Sequence, residues 1–474
     1  MDKKVWNVIC AVGLILATAA ASAAGADSAP AGETGVTEAG YASAALAGEP
    51  AADTEAGHTS SAGAVVSYDK LVRTGGYEPS SATGFSVTDY EDGISEIRVS
   101  DGRRYLVVPG EAAGTAAGQD TGAADQSAAE AAGTAASQDT GAADQSAAEA
   151  AGPAAGQDTG AADQPAPEDG APQGAVTVED LPDDMVLIRQ PAGKIYLANS
   201  AGMCRFDSIG AVSSVAYSGT RQEDWEIQSA ADAMESGDMI YAGKYSEPDY
   251  ELLLTGGCDL AIENLMVLHK PEVMEKLTSL GIPVFLDRAS EEDEPLGRTE
   301  WVIPYGILTG RREEAEQAFS KQRDMVKALK GLPPTGKTVA YFYVNSQGQI
   351  VCPRSDEAVP KMLKTAGGDY VPDSLTDDEE GLRSSTRMDM ETFLTGAGQA
   401  DVLVYDATIN PIFSVSDLIG QNALFAQFKA VKEGQVYLTG TGMYQNSDKT
   451  GSLIRDFHAM LTGEGGMEYV KKLE

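Results

Sequence analysis

The chain has 474 residues, a formal charge of −38, 52 glycines, three histidines and four cysteines. That length holds two or three domains. The acidity excludes nucleic acid as a partner, because it would repel a phosphate backbone. Three scattered histidines, His58, His269 and His458, exclude a dedicated zinc site, and the cysteine spacing matches neither a disulfide framework nor a zinc ligand set.

The first 23 residues read as an export signal. Lys3 and Lys4 are followed by the apolar run Val8 to Ala21, and Ala21-Ser22-Ala23 fits a small-residue cleavage site. An uncleaved anchor is the other reading, since the run is nearly long enough to span a bilayer. Residues 24–64 are a polar, Ala- and Gly-rich leader. Residues 65–110 contain FSVTDYEDGISEIRVSDGRRYLVVPG, an alternating run with Asp-Gly turns at Asp92-Gly93 and Asp101-Gly102. This pattern predicts a β-hairpin or meander that must pack on the globular part of the chain, because two or three strands do not stand alone in water. Residues 111–175 hold a direct repeat of period 19, present three times from Ala112 to Glu168. Its units carry no Leu, Ile, Val, Phe or Met, so ordering them would bury nothing and cost entropy. They are expected to be a disordered acidic insert in a surface loop.

From Val176 strands and helices alternate. MVLIRQ, KIYLAN, DMIYAG, CDLAIE and IPVFLD read as strands; Ile227–Met234, PDYELLLTG and PEVMEKLTSLG read as helices. This predicts an α/β N-lobe over 176–297 with a largely parallel sheet. Leu308, Ala315, Phe319, Gln322, Val326 and Leu329 share one helical face, predicting a single long hinge helix over 298–330. Alternation resumes over 331–474, the C-lobe: TVAYFYV, DVLVYD and QVYLTG as strands, and EAVPKMLKTAGG, METFLTGAG, ALFAQFKAV and GSLIRDFHAMLTG as helices. The fold class expected is α/β, two Rossmann-like lobes joined by one helix, with a cleft at the carboxyl ends of the strands.

One motif is misleading. Gly331 to Thr338, GLPPTGKT, fits the phosphate-binding P-loop pattern letter for letter. A P-loop follows a strand and opens a helix, the reverse of the order here, and Pro333 and Pro334 remove two N–H donors. It reads as a linker turn. No nucleophile elbow, HExxH helix or dinucleotide fingerprint occurs in a suitable setting, so no catalytic residue is assigned.

Several stretches in their order resemble the binding proteins of ABC importers for ferric siderophores, haem or cobalamin. They are SDGRRYLVVP with DDMVLIRQPAGKIYLANSAGM, then YAGKYSEPDYELLLTGGCDLAIE, EEDEPLGRTEWVIPYGILTGRREEAEQAF, MDMETFLTGAGQADVLVYD and FKAVKEGQVYLTG. The resemblance implies a non-enzymatic, exported, monomeric protein with no cofactor. It would hold a metal chelate or corrinoid and pass it to the transmembrane subunits of a permease. It also implies a stiff helical hinge, and permease docking through one Glu per lobe; the matching positions are Glu251 and Glu391. Ligand contacts are expected at strand ends facing the cleft: Ser200, Met203, Asn264, Arg298, Trp301, Tyr343, Asn345, Arg354, Tyr405 and Tyr444, with Gln445 beside the last. From Val176 onward 27 Lys and Arg face 47 Asp and Glu, which favours a neutral or cationic ligand such as cobalamin. The chain departs from the family in having no lipobox cysteine at the end of its signal, and in its repeat insert. A surface sensor or adhesive module on the same fold is the alternative.

Overall fold

Alternating apolar and polar residues along FSVTDY and SEIRV build the middle of the first sheet of the computed structural model, which describes residues 65–110, 176–372 and 385–474. The expected export segment, leader and repeat insert lie outside these residues. All described residues fall in one compact unit, the chain on either side of 111–173. Its first strands are β1 (Val65–Ser67), β2 (Arg73–Tyr77), β3 (Phe85–Tyr90), β4 (Ser95–Val99) and β5 (Arg104–Pro109), followed by β6 (Thr177–Glu179) and β7 (Met185–Gln190). The order is β2-β3-β4-β5-β7, antiparallel except for β5 and β7, while β1 pairs with β6. Asp92, Gly93 and Gly102 take the positive φ that the two Asp-Gly turns require. Tyr105 and Val107 face one core and Leu106 and Val108 another, so β5 is apolar from Tyr105 onward. MVLIRQ was expected in the next sheet; instead it runs parallel to β5 in register from Arg104↔Met185 to Pro109↔Gln190. Periodicity marks a strand but not the sheet it joins. The carbonyl of Pro109 accepts from Val176 N at 3.3 Å, so the residues flanking the repeat segment meet.

The N-terminal α/β half runs β8 (Ile195–Leu197), α1 (Met203–Ser208), β9 (Val215–Ser218), α2 (Gln228–Ser236), β10 (Ile240–Tyr241), α3 (Tyr250–Thr255), β11 (Leu260–Asn264), α4 (Pro271–Ser279) and β12 (Val284–Asp287). Its sheet is parallel, order β10-β9-β8-β11-β12. Ile195, Leu197, Leu260, Ile262 and Phe285 pack on one face; Tyr196, Ala261, Val284 and Leu286 pack on the other. Burial on both faces explains why these strands read as continuous apolar runs.

The expected single helix over 298–330 is three helices: α5 (Pro295–Glu300), α6 (Val302–Leu308) and α7 (Arg312–Leu329). Gly310 adopts φ 69°, and Arg311 N bonds the carbonyl of Gly306 at 2.7 Å, closing α6. Every residue of α6 is buried, so its sequence shows no polar face to mark where it ends. On α7, Ala315, Phe319, Gln322 and Val326 are buried as the spacing predicts. At its ~1.5 Å rise per residue, this helix is about 27 Å long.

Two carboxylates fix the first sheet to these helices. Glu300 Oε1 accepts from Tyr77 Oη (2.8 Å), Ser80 N (2.8 Å) and Ser80 Oγ (3.1 Å), and its Oε2 from Ser81 N and Ala82 N (both 2.7 Å). Glu292 accepts from Thr83 N, Gly84 N and Trp301 Nε1 at 2.8, 2.8 and 2.7 Å.

The C-terminal half runs β13 (Thr338–Val344), β14 (Ile350–Pro353), α8 (Ala358–Thr365), β15 (Asp369–Tyr370), β16 (Ser385–Met388), α9 (Met390–Ala397), β17 (Val402–Asp406), α10 (Val415–Gln421), α11 (Lys429–Lys432), β18 (Val436–Thr439), α12 (Thr450–Thr462) and β19 (Val470–Lys472). β15, β17 and β18 extend β13 in parallel; β14, β16 and β19 add antiparallel edges. ALFAQFKAV was expected as one helix. It is a 3₁₀ turn, Ala423–Gln427, then α11, with Phe428 extended between them at ψ 139°. Phe425 and Phe428 turn inward onto Phe342 and Phe393, with ring centroids 5.4–5.5 Å apart. GLPPTGKT follows α7 and leads into β13, as a linker turn should.

Candidate functional site

Glu251 and Glu391 occupy matching places. Each is exposed in the first turn of a helix capped by an aspartate two residues earlier. Asp249 accepts from Leu252 N at 3.0 Å and Asp389 from Thr392 N at 2.7 Å. The Thr392 donors, its backbone N–H first, hold the Asp389 carboxyl below the usual aspartate range. One turn on, Thr255 Oγ1 donates to the Glu251 carbonyl at 2.7 Å and Thr395 Oγ1 to the Glu391 carbonyl at 2.9 Å.

The next strand in each half opens on an aspartate that braces its neighbour. Asp259 accepts from Gly193 N at 3.0 Å and from Lys194 N at 3.1 Å, just ahead of β8. Asp401 accepts from Thr338 N at 2.8 Å at the head of β13, and Lys429 Nζ lies 2.6 Å away. The Lys429 ammonium and the Thr338 donors lower the Asp401 carboxyl pKa. The shared pattern was legible: Asp249 to Gly256 is DYELLLTG and Asp389 to Gly396 is DMETFLTG. The capping aspartates and threonines are the residues that sequence reasoning missed.

The expected ligand residues divide into two groups. Met203, Trp301 and Tyr405 are 0 % exposed and belong to the core. Trp301 Nε1 is spent on Glu292, and Tyr405 Oη donates to the Asn410 carbonyl at 2.8 Å. A Met or aromatic residue at a strand end looks the same in sequence whether it points inward or outward.

The others are reachable. Ser200 and Tyr343 are half-buried. Asn264 Oδ1 caps the turn after β11, accepting from Met266 N at 2.9 Å. Asn345 Oδ1 closes the β13–β14 turn on Gln347 N and Gln349 N, at 2.9 and 3.0 Å. Arg354 pairs with Asp356 at 3.2 Å. Arg298 is half-buried and donates through Nε to the Glu292 carbonyl at 3.2 Å; desolvation lowers its pKa. Tyr444 is 38 % exposed.

Residues 442–450 lie against the N-terminal half. Gln445 is 0 % exposed; its Oε1 accepts from Glu226 N at 3.0 Å and its Nε2 donates to the Asp224 carbonyl at 2.9 Å. Ser447 Oγ is 3.5 Å from both Cys204 Sγ and Arg205 Nη2, and its carbonyl accepts from Thr299 Oγ1 at 3.1 Å. Arg205 is itself buried on Asp287 at 3.1 Å, and Tyr305 Oη donates to the same carboxylate at 2.7 Å. Burial pushes the Cys204 thiol up to about 12. A cavity of about 110 Å³ beside this seam is lined by Thr299, Phe319, Gln322, Asp448 and Lys449 among others, and by none of the expected ligand residues. Among the described residues no cluster of His, Cys, Asp and Glu is placed to hold a metal, and no helix is long and apolar enough to cross a membrane.

No family model matches the chain. Two proteins of Methanocaldococcus jannaschii, both described only as uncharacterized lipoproteins, are similar in sequence. One is 25 % identical over 304 residues, covering 60 % of this chain and 69 % of that protein. The other is 24 % identical over 215 residues, covering 43 % of this chain and about half, 53 %, of its own length. Among solved structures, a periplasmic haem-binding protein of Pseudomonas aeruginosa aligns with TM-score 0.45 and 15 % identity over 60 % of this chain and 98 % of its own. A periplasmic vitamin B12 binding protein of Vibrio cholerae aligns with TM-score 0.41 and 18 % identity over 57 % and 97 %. A periplasmic binding protein of Veillonella parvula gives TM-score 0.45 and 17 % identity over 58 % and 92 %. In sequence this chain is similar to two lipoproteins of Methanocaldococcus jannaschii, and its fold is mixed α/β.

Proposed function

We propose that the chain is the extracytoplasmic substrate-binding component of an ABC importer, capturing an iron chelate, haem or cobalamin and delivering it unchanged to a permease. The observation that carries this reading is the paired unit DYELLLTG and DMETFLTG, which holds one exposed glutamate per half on a capped helix start. Two carboxylates on matching helix starts suit a partner with two sets of guanidinium groups, since such pairs fix register and speed encounter. The two α/β halves act as lobes, with α5 to α7 as a stiff connection between them.

Ligand contacts are assigned to Ser200, Asn264, Arg298, Tyr343, Asn345, Arg354 and Tyr444. The similarity to lipoproteins supports an exported protein held at the outer face of a membrane. The test is uptake in cells carrying Glu251→Ala and Glu391→Ala together. Uptake falls while ligand affinity of the purified protein holds; unchanged uptake would move the protein to a sensor or adhesive role.

A further inference from the structure

Among the described contacts between the two halves, the carboxamide of Gln445 stands out because both its polar atoms bond across, while Nε2 also donates to Tyr444 Oη on its own segment at 3.3 Å. Oε1 accepts from Glu226 N at 3.0 Å and Nε2 donates to the Asp224 carbonyl at 2.9 Å. The side chain therefore reads the backbone of residues 224–226 as a neighbouring strand would, through one acceptor and one donor. Its surroundings leave it little freedom. Gln445 is fully buried, and a Cβ built on Gly442 would stand 3.0 Å from Glu226 Cβ, so the two segments are already in close contact.

The neighbouring bonds are longer, with Thr299 Oγ1 to the Ser447 carbonyl at 3.1 Å, while a shorter bond between the halves, Lys361 Nζ to the Asp293 carbonyl at 2.7 Å, is exposed. Ser447 Oγ reaches Arg205 and Cys204 only at 3.5 Å, and Thr450 Oγ1 reaches the Pro295 carbonyl at 3.3 Å. The charged residues beside the amide are Asp224 and Glu226 on the N-terminal half, with the Tyr444 phenol on its own segment, whose pKa burial raises. None of them supplies a cation that could replace the amide donor.

We propose that Gln445 is a clasp that locks the segment 442–450 to the loop 224–226 and so sets how far the two halves stand apart. The halves separate at this seam only when both amide bonds break. Because the Gln445 carboxamide is fully buried, a lost bond would leave one of its own polar atoms unsatisfied, which ties the two bonds together. This inference does not depend on the identity of any ligand, so it stands or falls separately from the transport reading.

The experiment is amide hydrogen exchange on the full-length protein, without ligand, for wild type, Gln445→Ala and Gln445→Glu. In the wild type the Glu226 amide is protected. In Gln445→Ala it exchanges at least tenfold faster, together with residues 443–450, while amides of α4 and β11 keep their wild-type rates. Gln445→Glu keeps the volume but sets a carboxylate oxygen against the Asp224 carbonyl, and it moves exchange in the same direction. It serves as the readout if the alanine variant does not fold. Unchanged exchange at Glu226 in a folded variant overturns the clasp, as does acceleration spread evenly over both halves.

Discussion

Removing the Glu300 carboxylate should unfasten the first sheet from the connecting helices. The side chain is 0 % exposed and accepts five hydrogen bonds, three of them from consecutive backbone N–H groups. In Glu300→Ala the exposed Ser80 groups regain water, whereas Ala82 N is buried and Ser81 N and Tyr77 Oη are only part-exposed. Leaving a buried donor unsatisfied costs about 1–3 kcal/mol, so two to three such groups give a loss of about 4 kcal/mol. Glu300→Gln keeps the volume but aims an amide at N–H donors, and about half that loss is expected. Urea unfolding of the full chain measures both, and Trp301, packed edge-on against Phe85 at 5.3 Å, provides a fluorescence signal at the site. A loss below about 1 kcal/mol in Glu300→Ala would refute the accounting. It would mean that the 80–84 loop finds other partners without rearranging the sheet.

Glu263 makes a pH prediction of opposite character. Both its carboxylate oxygens lack a hydrogen-bond partner among the described residues, and burial raises its pKa well above 4.5. Above the unfolded pKa the native state keeps a proton that the unfolded chain releases. Stability therefore falls as pH rises from about 4.5 toward the raised value, by up to ~1.4 kcal/mol per pH unit. Glu263→Gln should flatten that slope and raise stability at neutral pH; a wild-type curve rising across this window would contradict it. Glu251→Ala and Glu391→Ala should leave the melting temperature within about a degree of wild type, since both side chains are exposed and substitutions of that kind are usually within ~0.5 kcal/mol. A large drop in melting temperature would make these residues structural instead of docking groups.

Much of the fold was legible because its strands are short apolar runs separated by helices with clear stops. The hairpin turns were written in Asp92-Gly93 and Asp101-Gly102, and the linker reading of GLPPTGKT followed from element order alone. The break at Gly310 was hidden because α6 is buried on all sides and shows no polar face. Gln322 is the polar residue on the apolar face of α7; its Oε1 accepts from Ser452 N at 3.0 Å and joins α7 to α12. The site was less legible. Composition cannot say whether Trp301 faces a cleft or a core, and the seam at Gln445 depends on residues more than 200 positions apart. The repeated octapeptide around Glu251 and Glu391 was in plain view, and its capping aspartates explain why both carboxylates stand where they do.

The most direct test of the account is ligand binding by the full-length protein, measured by thermal shift and calorimetry. The panel holds ferric siderophores, haem and cobalamins, with free iron and zinc as controls. At a hundredfold excess over the dissociation constant, a true ligand stabilises the fold by about 2.7 kcal/mol. The account predicts that one class of chelate or corrinoid binds at one-to-one stoichiometry and is recovered chemically unchanged. A folded protein that binds none of them, or that returns its ligand altered, would contradict it.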